Sequence, residues 1–213
     1  MNKGYIHIYT GNGKGKTTAA FGLAIRAALA GKNVFIGQFI KGMKYNETKI
    51  EKHIENIIIK QFGKTCFIDR TPSEQDIKLA QQGLNLCKEL ICTKKYLNKI
   101  NKNNNFNYYS NENKNYSFSN NNINNINNKE NNKLFQNFDI IILDELTIAI
   151  YFNLLNEKEV IEMLKNKKEN VEIVITGRKA TDKLIEVADL VTEMKEIKHY
   201  YKKGITAREG IEY

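Results

Sequence analysis

Residues 5–29, YIHIYTGNGKGKTTAAFGLAIRAAL, place a short apolar strand, a glycine-rich turn and a helix in direct succession. Tyr5 to Tyr9 reads as the strand and Lys16 to Leu29 as the helix, with Gly31 as the C′ residue that ends it. The turn between them, Gly11, Asn12, Gly13, Lys14, Gly15, Lys16, Thr17 and Thr18, has the composition of a phosphate-binding loop. Glycines let the backbone curl so that several N–H groups face one anion, and the helix N-terminus adds its positive dipole end. Lys16 would neutralise phosphate charge, and the Thr17 hydroxyl would hold Mg²⁺. The spacing departs from the usual G-x-x-x-x-G-K-[ST]: five residues before Gly15 stands Thr10, and counted from Gly11 the loop is one residue short.

Outward from this unit, strand and helix signals alternate. Val34 to Ile40 and Ile57 to Phe62 read as strands. Thr71-Pro72-Ser73-Glu74 reads as a capping box with proline at the first helical position, opening a helix whose buried stripe is Ile77, Ala80, Leu84, Cys87 and Ile91. Phe138 to Leu143 and Val171 to Thr176 are nearly continuously apolar, as in parallel strands covered on both faces. Asn156 can cap a helix from Glu157 to Leu164, Ala180 to Ala188 reads as a further helix, and Leu190 to Met194 as a last strand. Repeated βα units predict one three-layer α/β domain over residues 1–213 with a mainly parallel sheet. Within it, residues 98–137 form an asparagine-rich low-complexity insertion, predicted to be disordered because it holds too little apolar surface to offset the entropy of ordering.

Two acids, Asp144 and Glu145, end the apolar run Ile140 to Leu143. Acids at the end of a buried strand are placed to take Mg²⁺, directly or through water, although the same pair could cap a helix or lie on the surface. Arg178, after the strand ending at Thr176, is either a surface arginine or an anion-binding group. Lys41 follows a third strand, so the polar groups converge on the carboxyl ends of strands, where open parallel sheets bind ligands.

The net charge of +9 implies an anionic partner without choosing between nucleic acid and a nucleotide triphosphate. Cys66, Cys87 and Cys92 lack CxxC spacing and suit reduced thiols, and neither a signal peptide nor a membrane span is read, so a cytoplasmic protein is expected. His7, His53 and His199 form no catalytic or metal-binding pattern, and neither a base nor a nucleophile is evident.

Together, TGNGKGKTTAAFGLAIRA, QFIKG, FDIIILDEL, ITGR with LIEVADLVTEM, and KHYYKKGITAREGIEY resemble the ATP:corrinoid adenosyltransferase family. The resemblance implies a P-loop, RecA-like fold and a cob(I)yrinic acid a,c-diamide or cob(I)alamin adenosyltransferase activity. The cobalt of a reduced corrinoid would be its own nucleophile, attacking the 5′ carbon of ATP and expelling triphosphate. It implies that Gly11 through Thr18 and Arg178 bind ATP, that Lys16 and Glu145 are catalytic, and that Thr17, Glu145 and Asp144 hold Mg²⁺ or Mn²⁺. A homodimer served by an electron donor such as a flavoprotein reductase is implied, with no membrane or nucleic-acid partner. Where some members press Phe and Trp against the corrinoid, this chain has Cys66 and Ile68, with Phe67 between them. A RecA-like ATPase acting on nucleic acid is the competing reading of the same loop and charge.

Overall fold

Six apolar runs form one parallel sheet: β1 (Ile6–Thr10), β2 (Val34–Lys41), β3 (Ile57–Thr65), β4 (Ile140–Asp144), β5 (Glu172–Thr176) and β6 (Leu190–Glu193). Their order across the sheet is β3-β2-β4-β5-β1-β6, and every neighbouring pair runs parallel. The helices are α1 (Lys16–Leu29), α2 (Glu74–Ile91), α3 (Lys94–Asn104), α4 (Leu146–Tyr151), α5 (Glu157–Lys165) and α6 (Asp182–Glu186), with 3₁₀ turns at Asn46–Lys52 and Tyr200–Lys203. The computed structural model describes residues 2–43, 45–65, 71–104 and 137–212.

Alternate strand residues face opposite layers, and both layers are covered. Ile140 and Ile142 pack with Ala20, Ala24 and Ala28 of α1, while Ile141 and Leu143 pack with Leu84, Leu146 and Met163 on the other side. The unbroken apolar run of β4 therefore serves two half-cores at once. Each such side chain, fully withdrawn from water, contributes about 2 kcal/mol. The small alanines of α1 let that helix lie close to the sheet, which brings its N-terminus to the strand ends.

The sequence expectations differ from the structure at several places. Helix α2 is capped by Ser73, whose Oγ accepts from the Asp76 N–H while the Asp76 carboxylate accepts from the Ser73 N–H, so the capping box is Ser73/Asp76 and Pro72 lies outside the helix. That frame buries Asp76 at the head of the stripe Ala80, Leu84, Cys87 and Ile91, and turns Ile77 outward to 43% exposure. Helix α6 starts at Asp182 because Thr181 caps it, accepting from the Leu184 N–H at 3.3 Å. Helix α3 runs through residues 98–104, inside the stretch expected to be a disordered insertion, and is anchored by buried Leu97 with Tyr96 and Ile100 packed beside it. Residues 105–136 lie outside the described residues, as do Cys66, Phe67 and Ile68.

Candidate active site

The site is built where α1 begins and where β2, β4 and β5 end. Gly15, at φ 113°, turns the chain into α1, a left-handed conformation that a residue with a Cβ rarely adopts. The first helical turn then has N–H groups without intrahelical partners, the donor set that an anion uses. Lys16 is 7% exposed, and its Nζ donates to the Gly11 and Gly13 carbonyls, both at 2.7 Å. Two of its three donors brace the loop and one is left for a ligand. Burial holds the Lys16 ammonium below the ordinary lysine range, against the attraction of Glu145 and Asp144. On the loop's other side the Gly13 N–H donates to the Met194 carbonyl at 2.6 Å, which ties the short loop to the chain leaving β6.

Asp144, fully buried at the end of β4, is the centre of the arrangement. Its Oδ1 accepts from Thr17 Oγ1 at 2.9 Å and Thr176 Oγ1 at 2.6 Å. Its Oδ2 accepts from Lys41 Nζ at 2.8 Å and Gln38 Nε2 at 3.1 Å. One carboxylate thus joins the phosphate loop to the ends of β2 and β5. Burial works against its charged form, but the Lys41 ammonium and the hydroxyl donors outweigh it and hold Asp144 below the usual carboxylate range. Burial likewise works against the Lys41 ammonium, but Asp144, with Glu145 and Glu47 beside it, outweighs burial and raises its pKa.

Lys41 reaches this position through an irregularity in β2. The register with β3 slips between Phe39 and Lys41, and Ile40 takes φ 66°, an outlier for a β-branched residue. Such strain persists only where surrounding packing fixes it, and here it re-aims the next side chain onto Asp144. The ammonium also lies 5.2 Å from the Tyr45 ring centroid and 3.9 Å from Glu47.

Glu145 follows at φ 59°, its backbone N–H donating to Thr176 Oγ1 at 3.0 Å. Among the described residues no donor reaches its carboxylate, and burial followed by the neighbouring Asp144 charge raises its pKa. Arg178 is exposed after Gly177. With Asn12, Glu193, Lys195, Glu196 and Ile197 it lines an open depression of ≈ 580 Å³ beside the loop. Gly177 itself, at φ 139°, fits against α4: a Cβ there would stand 2.1 Å from Thr147 Oγ1.

Of the residues singled out in the sequence, Gly11 to Thr18, Asp144 and Glu145 are brought together, and Arg178 stands at their rim. Two acids and one hydroxyl are the wrong set for a closed metal cage, and no cluster of three His, Cys, Asp or Glu occurs among the described residues. They do fit Mg²⁺, which is commonly held by one or two carboxylates plus substrate phosphates and water. Since all four acceptor positions of Asp144 are engaged, the carboxylate open to a cation is Glu145. Sequence reasoning missed Gln38, Thr176 and the link from Lys41 to Asp144. The signal available was their common place at strand ends, in QFIKG and ITGR. Outside the site, His7 Nε2 pairs with Glu172 at 2.8 Å on a strand face, His53 is exposed, and the Cys87 and Cys92 thiols are free and buried. No helix among the described residues is long and apolar enough to cross a membrane.

Comparison with known proteins gives a consistent result. The family model described as ATP:corrinoid adenosyltransferase BtuR/CobO/CobP matches residues 2–213. The corrinoid adenosyltransferase of Sinorhizobium sp is 33% identical over 217 residues, covering 99% of this chain and 81% of that protein. That of Escherichia coli (strain K12) is 29% identical over 213 residues, covering 99% and 86%. Corrinoid adenosyltransferase CobA of Salmonella typhimurium is 28% identical over 215 residues, also covering 99% and 86%.

Proposed function

Because the chain belongs to the ATP:corrinoid adenosyltransferase family, we propose that its phosphate loop, the β4 end and Arg178 act together on ATP as its 5′-deoxyadenosyl group passes to a reduced corrinoid. The enzyme transfers that group to Co(I) and releases triphosphate. The cobalt electron pair forms the Co–C bond, the C5′–O bond breaks, and its electrons leave with triphosphate. Such chemistry needs no protein nucleophile or base.

The residues' task is electrostatic and positional. Gly11 to Thr18 cradle the triphosphate, with the free donor of Lys16 and the first-turn N–H groups on its oxygens. Arg178, at the rim, adds a planar set of donors for phosphate oxygens. Thr17 and Glu145 would hold Mg²⁺ or Mn²⁺, which when bound offsets charge on the departing triphosphate. Asp144 acts through Thr17: by accepting the hydroxyl's hydrogen bond it leaves the Thr17 oxygen lone pairs directed outward. The observation that carries this reading is the 2.9 Å contact from Thr17 Oγ1 to Asp144 Oδ1, which couples the loop to the acidic strand end.

The enzyme is read as a cytoplasmic homodimer fed by a reductase such as a flavoprotein, its chain forming a single P-loop α/β domain. The site assignment is tested by Lys16→Ala and Glu145→Gln, assayed for corrinoid adenosylation beside a thermal melt. Lys16→Ala is expected to slow turnover by about a hundredfold or more, the scale of losing one donor to a developing anion. Glu145→Gln is expected to raise the Mg²⁺ concentration needed for activity. Folded variants with wild-type rates and metal dependence would remove both residues from the mechanism.

A further inference from the structure

The end of the chain lies against the phosphate loop. Lys14 Nζ donates to Tyr200 Oη at 3.1 Å, the Ile211 carbonyl at 2.9 Å and Glu212 Oε1 at 2.7 Å. Those three contacts use every donor of the ammonium. Glu212 is itself fixed: it accepts from the Arg208 backbone N–H at 2.8 Å, from the Arg208 guanidinium at 3.3 Å and from the Tyr200 hydroxyl. The Arg208 guanidinium lies 4.9 Å from the Tyr200 ring centroid, so phenol, guanidinium and carboxylate form one unit. Residues 201–211 are exposed and bury nothing in either half-core. Packing of the domain therefore gives no reason for this segment to close on the loop.

We propose that Glu212 is a built-in competitor of the triphosphate for Lys14, so that the C-terminal segment sets how tightly the loop holds ATP and how readily it lets triphosphate go. The inference rests on the assignment of Gly11 to Thr18 as the triphosphate site. An ammonium whose donors are all engaged must give up at least one protein acceptor to bind a phosphate oxygen. The multiply charged triphosphate can draw Lys14 away, and Glu212 reclaims it as the product departs. Glu212 and Tyr200 are thus positioning residues acting through Lys14. They lower affinity for the leaving group, which a transferase that must clear a polyanion after each turnover can use.

The test is calorimetric titration of Mg²⁺ and inorganic triphosphate into the full-length wild type, Lys14→Gln, Glu212→Gln, Glu212→Asp, Tyr200→Phe and the Lys14→Gln/Glu212→Gln double variant, each checked for an unchanged melt. Lys14→Gln is expected to weaken binding. Glu212→Gln is expected to tighten it by about two- to fivefold, the range for an exposed ion pair, and Tyr200→Phe by less. In the Lys14→Gln background the effect of Glu212→Gln should vanish, and Glu212→Asp should retain wild-type affinity. Steady-state assays should show KM for ATP falling in Glu212→Gln by more than any change in kcat. Weaker or unaltered binding in Glu212→Gln, or an equal shift with and without Lys14, overturns the competition while leaving the loop assignment intact. Unaltered binding in Lys14→Gln likewise overturns the competition, whereas unaltered triphosphate binding in a folded Lys16→Ala variant overturns the loop assignment as well.

Discussion

Replacing Lys41 by methionine keeps most of its stem and removes its charge, which leaves the fully buried Asp144 carboxylate without its ionic partner. Breaking a buried pair from one side costs about 3–5 kcal/mol, since the remaining charge is uncompensated. Thr17, Thr176 and Gln38 still donate to Asp144, which favours the lower end, so a loss of about 3 kcal/mol is expected at pH 7. With a urea slope of about 2 kcal/mol/M, the unfolding midpoint should fall by about 1.5 M. The pH dependence follows from the sign of the shift. In the wild type Asp144 is held below its unfolded value of about 3.9, so its contribution is present above that pH and is lost only as pH falls through the lower folded value. Without Lys41, burial dominates and the folded pKa rises above the unfolded one. The variant's deficit should then shrink as pH falls from 7 towards 4.5, where protonation relieves the stranded charge. Adding Asp144→Asn to Lys41→Met should cost less than the sum of the two single changes. Urea melts of all four proteins at pH 7 and 4.5 provide the cycle. A deficit under about 1 kcal/mol at pH 7, or one that grows towards acid, would refute the pairing as a source of stability.

Gly83→Ala in α2 should destabilise by about 1–3 kcal/mol in thermal melts despite alanine's better helix propensity, because the new Cβ would stand 2.4 Å from the Phe62 ring. Gly177→Ala should cost about 2 kcal/mol or more through its φ of 139° and the collision with Thr147 Oγ1. It should also weaken ATP binding in a titration, since Arg178 follows directly. Glu145 has a raised pKa, so its charged form penalises the folded protein above the unfolded value and the penalty is relieved as pH falls through the folded one. Glu145→Gln should therefore melt at or above the wild-type temperature at pH 7 without metal. Binding of Mg²⁺ with ATP should release protons at mildly acidic pH in the wild type and fewer in this variant, measured by titration in buffers of different ionisation enthalpy.

The parts of the fold that were legible are those where one local pattern has one physical solution. An apolar strand running into TGNGKGKTT and a helix ended by Gly31 admits little else, and α1 spans Lys16–Leu29 as read. Phe138 to Leu143 betrays a strand covered on both faces, although β4 itself starts at Ile140. The capping frame of α2 was ambiguous because Thr71/Glu74 and Ser73/Asp76 both have the spacing, and only burial of Asp76 decides between them. Helix α3 was hidden by the polar residues around Leu97 and Ile100. The site was half legible. Loop and acids lie in short motifs, whereas the bond from Lys41 to Asp144 depends on the Ile40 bulge and on β2 lying beside β4, a pairing across about a hundred residues. Contacts such as that of Lys14 with Glu212 have no local signature at all.

Transfer of the adenosyl group requires the C5′–O bond of ATP to break while the phosphoanhydride bonds stay intact. Its most direct measurement is a single turnover with Mg²⁺, chemically reduced cobalamin and ATP carrying carbon-13 at the 5′ position, followed by carbon and phosphorus NMR. The expected result is a labelled carbon bonded to cobalt and one intact triphosphate for each corrinoid adenosylated. ADP with orthophosphate, stimulated by nucleic acid and with no adenosylated corrinoid, would contradict it.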